Sequence, residues 1–279
     1  MMKRNALLPV ITYPDPISES VAANVVGMAA QLNVALHILA VNVDFPPISS
    51  ALSRLLLNTP EMIRAAEATS RKRSEEILAG VNRQASQYGV EITTDTMTAA
   101  PAFLGDTAAT HARYFDLVFV GWEANNPTSR MTAEAIVFGS GRPTILVPEV
   151  VHPVPIDHVA IAWDGSRVAA RAVADATPLL QRAAKISVLT IIGEKPLPEK
   201  DAGARLATSL QKRGLSAEAV EISAEDCPIS ATLQQRAIDL GATLLVMGGF
   251  GHSRVRDFVL GGATEGVFSD LEMPVLLSH

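Results

Sequence analysis

The chain has 279 residues, 48% of them apolar and 19% charged, which excludes a disordered protein and allows two ordinary domains or one large one. Its net charge of −6 argues against a general binder of nucleic acid or of anionic membrane. The single cysteine, Cys227, excludes an internal disulfide framework and a cysteine-based zinc cluster, fits a reducing compartment, and reads as an inert thiol.

The opening MMKRNALLPVITYPD has a short apolar run broken by Pro9 and no small-residue cleavage pattern, so no signal peptide is expected. Ala6 to Ile11 reads as a strand, followed by turn chemistry at Tyr13-Pro14-Asp15-Pro16. Ser18 is the expected N-cap of a helix that carries Val21, Val25, Val26, Ala29 and Ala30 at helical spacing. Val34 to Val43 is the second strand. The uncharged stretch Val21 to Val43 is not read as a membrane span, because Asn24, Gln31, Asn33, His37 and Asn42 would lie unpaired in lipid. A soluble, cytoplasmic protein is expected.

A Pro-containing connection, Phe45 to Pro60, leads to a long polar helix from about Glu61 to Tyr88, ended by Gly89. Its charge run, Arg71, Lys72, Arg73, Glu75 and Glu76, reads as a solvated face with i,i+4 pairs. Val90 to Met97 alternates as a strand, Phe103 to Arg113 is helical, and Leu117 to Val120 and Thr144 to Val147 are strands. The order then recurs. His158 to Trp163, Ile186 to Ile192, Ala217 to Ile222, Leu244 to Met247 and Val275 to Leu277 are strands. Helices at Val168 to Gln181, Glu199 to Lys212 and Ile229 to Leu240 separate the first four of them. Alternating strands and helices imply parallel βαβ units with helices on both faces of a sheet.

The repeat is visible in the residues themselves. FDLVFVG at Phe115–Gly121 matches ATLLVMG at Ala242–Gly248, and RPTILVP at Arg142–Pro148 matches MPVLLSH at Met273–His279. Two domains, 1–149 and 157–279, are predicted, joined by the Val/Pro/His stretch Glu149 to Asp157. Aligning Ile11 with Trp163, Gly121 with Gly248 and Pro143 with Pro274 shows where the halves differ in length. The first half is longer before its fourth strand, and the second is longer between its fourth and fifth.

That second excess is MGGFGHSRVRDFVLGGAT, Met247 to Thr264, with five glycines between Gly248 and Gly262. Gly248 would let the chain turn off the strand end, and Gly251 would let backbone amides face inward. Gly261 and Gly262 would open a helix whose free N–H groups and dipole favour an anion. His252, Ser253 and Arg254 add side-chain donors. On composition alone, a glycine-rich surface loop accounts for this stretch equally well.

Other nucleotide and catalytic patterns are absent. There is no G-x-x-x-x-G-K-[ST], and Arg254 takes the place of the third glycine of a G-x-G-x-x-G. No G-x-S-x-G elbow occurs, and the six histidines form no zinc-ligand pair. No catalytic residue and no metal ligand is assigned.

Gly248, Gly251 and Gly261 follow G-x2-G-x9-G, and here the sequence resembles the ATP-binding members of the universal stress protein family, whose motif is G-x2-G-x9-G-[ST]. The resemblance extends over both halves. It implies two tandem doubly wound α/β domains, each a five-stranded parallel sheet of the adenine nucleotide alpha-hydrolase-like, Rossmann-like class, arranged as a pseudo-dimer. It implies an adenine nucleotide (ATP or AMP, with Mg²⁺ near the phosphates) bound by the second domain. Ala162, Trp163 and Asp164 match the end of the family's first strand, where Asp164 would lie by adenine and ribose. Asp164 also suits a cap of the next helix, and Trp163 suits packing. Thr190 and Ile191 match the second-strand end, where backbone groups meet adenine. Met247, Gly248, Gly251, Gly261, Gly262 and Ala263 fall on the phosphate and ribose positions, beside His252, Ser253 and Arg254. Gly262 departs from the family's Ser/Thr, and Thr264 is the nearest substitute hydroxyl.

The first half lacks the motif: Trp122 and Glu123 follow Gly121, Ala124 replaces Gly251, and Arg130 replaces Gly261. Gly139-Ser140-Gly141 reads as the turn before the next strand. The first half is therefore expected to bind no ATP, with Asp15 left open as a counterpart of Asp164. Nucleotide-dependent stress signalling or protection is implied, with at most slow ATP hydrolysis and no nucleic-acid or membrane partner; a homodimer is compatible. Two rival readings are an enzyme acting on an adenylated substrate through His252, and a nucleotide-free protein-interaction module.

Overall fold

Ala6 to Ile11 is buried along its whole length, as a strand covered by helices on both faces must be. Each fully buried leucine there, such as Leu7 or Leu8, contributes about 1.5–3 kcal/mol relative to exposure. The computed structural model describes residues 3–46, 59–150, 154–193, 199–223, 227–249 and 262–279. The chain divides into two units, Met1–Ser140 and Gly141–His279.

The first unit contains, in chain order, β1 (Asn5–Ile11), α1 (Glu19–Leu32), β2 (Ala35–Val43), α2 (Thr59–Tyr88), β3 (Ile92–Ala99), a 3-10 turn (Pro101–Phe103), α3 (Leu104–Ala112), β4 (Leu117–Trp122) and α4 (Pro127–Gly139). Its strands lie in the order β3-β2-β1-β4, with parallel pairing from β3 to β2, β2 to β1 and β1 to β4. The alternation expected of β3 is not expressed as burial. Thr93 to Thr98 are all exposed, because β3 is an edge strand paired with β2 along one side.

The second unit contains β5 (Thr144–Pro148), β6 (His158–Ala162), α5 (Arg167–Leu180), β7 (Lys185–Ile192), α6 (Ala202–Lys212), β8 (Ala217–Ser223), α7 (Ile229–Asp239), β9 (Leu244–Gly248), α8 (Gly262–Ser269) and β10 (Val275–Ser278). The order is β5-β10-β9-β6-β7-β8. All pairs from β10 to β8 are parallel, whereas β5 runs antiparallel to β10, with Leu146 opposite Val275 and Thr144 opposite Leu277. The division between the units thus precedes the expected 149–157 linker. It places the first repeat's fifth strand with the second unit.

Local signals behave as read. Ser18 and Ser166 cap α1 and α5, accepting from Val21 and Ala169 amides. Gly89, Gly214 and Gly241 follow helices at positive φ, and Gly141 does so in the turn before β5. On α2, Lys72 pairs with Glu76 at 3.6 Å, and Arg73 reaches Asp15. Cys227 is exposed, just ahead of α7. No described helix is long and apolar enough to cross a membrane.

Each unit holds a strand histidine of lowered pKa, half-buried His37 in the first and buried His158 in the second. His37 of β2 lies 2.8 Å from Thr93 Oγ1 and stacks on His111 and Phe115. Burial lowers its pKa, His111 lowers it further, and Asp95 opposes them. In the second unit, His158 Nε2 lies 2.9 Å from Ser187 Oγ, which donates to Glu218 Oε1, itself paired with Lys185. Burial and Lys185 lower the His158 pKa, against Glu218 and a hydrogen bond to the Leu240 backbone. Unfolded histidines take up protons near pH 6.5, and these two do so only at lower pH when folded. Between those points the unfolded chain binds more protons, so stability is complete above about pH 6.5 and falls as the pH drops below it. Urea midpoints should therefore decrease from about pH 7.5 to about pH 5, and the double variant His37→Gln/His158→Gln should flatten that slope. Equal wild-type midpoints at both pH values would contradict this.

Candidate functional site

In the second unit the chain proceeds from β6 outward through β7 to β8, then returns to β9 on the other side of β6. The crevice at the carboxyl ends of β6 and β9 is therefore a topological switch point, where open α/β sheets take their ligands. Ile161 lies opposite Val246 and Ala162 opposite Leu189, and the Trp163 amide donates to the Leu189 carbonyl at 2.8 Å. Ala162, Trp163, Asp164, Thr190, Ile191, Met247 and Gly248 are thereby brought to one edge of the sheet. Because β9 and β10 are parallel, the intervening α8 runs back along them, and its first turn, Gly262-Ala263-Thr264, starts from that same edge. Gly251, His252, Ser253, Arg254 and Gly261 lie outside the described residues.

Gly248 serves a different purpose from the one expected. Its φ is not left-handed, so no special turn requires it. A Cβ there would sit 2.6 Å from the Ala169 nitrogen and from the Val168 carbonyl carbon, both backbone atoms in the first turn of α5. Gly121 repeats this close approach in the first unit, against Val21 and Ile17. Asp164 does not cap α5 either. Its carboxylate accepts from the Ser166 amide at 3.0 Å, around Gly165 at φ +74°, and Ser166 provides the cap. Thr264, expected to offer a hydroxyl in place of the family's Ser/Thr, is buried, at 3% exposure.

Three buried side-chain atoms in the second unit have no hydrogen-bond partner among the described residues: Trp163 Nε1, Thr190 Oγ1 and Ser278 Oγ. Trp163 follows β6, Thr190 lies near the end of β7, and Ser278 ends β10 opposite Gly248. All three thus sit toward the same carboxyl edge. Buried polar atoms are nearly always paired, and leaving one unpaired costs about 1–3 kcal/mol, so such a concentration marks a place suited to a polar ligand. Ser278 was not foreseen from the sequence, since only its pairing with Gly248 brings it to this edge.

At the corresponding edge of the first unit the chain satisfies several of its own polar groups, although Thr128 Oγ1 and Ser129 Oγ, in the first turn of α4, have no partner among the described residues. The Thr12 amide donates to the Val41 carbonyl as the Trp163 amide does to Leu189, so Thr12, not Ile11, is the counterpart of Trp163. The alignment moves by one residue, and Tyr13, rather than Asp15, takes the position of Asp164. Thr12 Oγ1 lies 3.0 Å from Asn42 Oδ1 and 2.6 Å from Ser70 Oγ, which also accepts from the Val43 amide. Ser70 belongs to α2, whose eleven preceding residues, Thr59 to Thr69, extend the helix by roughly 16 Å. Tyr13 stacks edge-on against Phe45, whose amide donates to Glu67 of α2. Glu123 turns inward. Its carboxylate accepts from the Ser18 amide at 2.6 Å and from Asn126 Nδ2 at 2.8 Å, while Asn126 caps α4. A carboxylate of the chain itself thus sits at the N-terminus of α1, where the helix dipole favours negative charge.

Residues 155–279 match the family model described as the Universal stress protein family. The second half of the chain belongs to the universal stress protein family. The full chain is similar in fold to a universal stress protein from Archaeoglobus fulgidus, with 16% identity over 100% of this chain and 99% of that one, at a TM-score of 0.72. It is also similar to a functionally unknown protein from Pseudomonas aeruginosa, with 16% identity over 99% and 92% of the two chains, at a TM-score of 0.53. No curated protein matches the sequence. The full-length likeness shows the tandem α/β architecture, and the universal stress protein domain at 155–279 contains the whole edge described above.

Proposed function

We propose that the second unit binds an adenine nucleotide, ATP or AMP, at the carboxyl ends of β6, β7 and β9, in a stress-signalling or protective role. The observation that carries this reading is the gathering of Trp163, Thr190 and Ser278, with their unpaired buried atoms, at a topological switch point inside a universal stress protein domain. Gly248 seats α5, Gly251 and Gly261 bring backbone amides to the phosphates, and Gly262 opens α8 toward them. Mg²⁺ would ride on the phosphates, because no group of three or more His, Cys, Asp or Glu among the described residues could hold it. No residue is assigned as a general base, and hydrolysis is slow or incidental. The first unit supports the fold and binds no nucleotide, its edge being filled by Ser70, Asn42 and Glu123. The protein acts in the cytoplasm.

Native mass spectrometry of the purified protein, followed by thermal shift with ATP, AMP and NAD, tests this. Ligand at a hundred times its Kd adds about 2.7 kcal/mol of stability, a rise of several degrees for a chain of this size. The expected result is one nucleotide per chain and a response to ATP or AMP above that to NAD. No shift with any of the three would overturn the reading. Two nucleotides per chain at saturation would overturn the assignment of the first unit.

A further inference from the structure

Because β5 runs antiparallel to β10, its first residues, and not its last, lie at the carboxyl edge of β9 and β10. Thr144 stands opposite Leu277, and continuing that register sets Pro143 against Ser278 and Arg142 against His279. His279 lies beside Gly249, whose carbonyl is 3.0 Å from His279 Nδ1 and whose amide donates to the Ser278 carbonyl at 2.8 Å. Exposed Arg142 thus stands two strand spacings, about 10 Å, from the point where the glycine-rich stretch leaves β9.

The register also fixes a face. Right-handed crossovers put α5 and α6 on one face, since β6, β7 and β8 follow one another outward. They put α7 and α8 on the other, since the chain returns to β9 and moves on to β10. A Cβ on Gly248 would meet the first turn of α5, so Gly248, Ser278 and Pro143 belong to the α5 face. Side chains alternate along a strand, so the next row, Gly249, His279 and Arg142, belongs to the face of α8. There α8 opens at the same edge, and its first-turn amides and dipole favour an anion. Arg167, the exposed first residue of α5, lies on the opposite face. The repeat equivalent of Arg142 is Met273, apolar and 3% exposed, so one repeat carries a cation at this position and the other does not.

Resting on the nucleotide reading above, we propose that Arg142 binds the terminal phosphates of ATP and makes the second unit selective for the triphosphate over AMP. On that reading the nucleoside lies at the ends of β6 and β7, and β9 and β10 stand successively farther from β7. The phosphate chain therefore runs toward β10, and its far end meets the strand beyond. A guanidinium there offers a fixed charge and paired N–H donors to phosphate oxygens. Gly262 contributes only backbone at this point, so the side-chain contact comes from Arg142. A residue of the first repeat thereby completes the ligand site of the second.

Calorimetry of the full chain with ATP and with AMP tests this, using Arg142→Gln, which removes the charge, Arg142→Lys, which keeps it, and Arg167→Gln as the control from the other face. The wild type is expected to bind ATP about tenfold or more tightly than AMP. Arg142→Gln should lower ATP affinity by about that factor and leave AMP affinity within about twofold, while Arg142→Lys retains part of the preference. Arg167→Gln should leave the ratio of the two affinities unchanged. ATP affinity unchanged in Arg142→Gln overturns the proposal. So does an equal fall for ATP and AMP, which would mark general damage to the edge, or a loss of the preference in Arg167→Gln. Equal wild-type affinity for the two nucleotides overturns the proposal while leaving the nucleotide site standing. A wild type that binds neither overturns the nucleotide reading and this inference together.

Discussion

Gly248→Ala is expected to lower the stability of the second unit by about 3 kcal/mol or more, and Gly248→Val to leave it unfolded. The cause is the backbone of α5. A methyl group at this position would meet the Ala169 nitrogen and the Val168 carbonyl carbon at 2.6 Å, far inside van der Waals contact. Neither atom can move alone, because Ala169 donates to the capping Ser166 and the buried face of α5 (Ala169, Ala172, Val173, Ala176) is packed in the core. Gly121→Ala is the control. Its new methyl would meet Val21 Cγ1 at 2.4 Å and Ile17 Cδ1 at 3.0 Å, ends of side chains that can turn aside. A cost of about 1–3 kcal/mol is expected there. Urea denaturation of the two variants decides the matter, and a Gly248→Ala protein as stable as the wild type would show that α5 does not require this glycine.

The double variant Gly251→Val/Gly261→Val should behave in the opposite way. On the proposed reading these two glycines bring backbone N–H groups to the phosphates, and each charge-assisted bond contributes on the order of 1.5–3 kcal/mol. Losing two of them corresponds to at least about a hundredfold drop in ATP affinity, beyond the range of ordinary calorimetry. Thermal stability without ligand should stay close to that of the wild type, since neither substitution falls within a described strand or helix. Unchanged ATP affinity would sink the phosphate-loop assignment. Together the two experiments separate a glycine demanded by packing from glycines demanded by a ligand, a distinction that the spacing G-x2-G-x9-G does not draw.

Much of the fold was legible because its causes are local. Buried strands such as Ala6–Ile11 and Leu244–Met247 announce themselves by uncharged apolar runs. Ser18 and Ser166 cap the helices they precede, and Gly89, Gly214 and Gly241 follow the helices they end. The loss of the glycine motif after Gly121 likewise needed no structure, nor did the resemblance of the second half to the universal stress protein family.

What remained hidden depends on residues far apart in the chain. Whether Asp15 or Tyr13 answers to Asp164 turns on one backbone hydrogen bond, from Thr12 to Val41, because Pro14 and Pro16 obscure the register. Glu123 directly follows the strand end in sequence, but its carboxylate lies on the Ser18 amide, more than a hundred residues away. Nothing local in Ser70 says that it seals the end of β1, and nothing local in Thr144–Pro148 says that this strand will run antiparallel to β10. The order of strands and helices, their caps and the two-fold repeat thus follow from short-range periodicity and backbone chemistry, which a linear reading captures. Which polar groups at each edge are satisfied was decided only by tertiary packing, since hydrogen bonds between distant segments determine whether a buried polar group is paired.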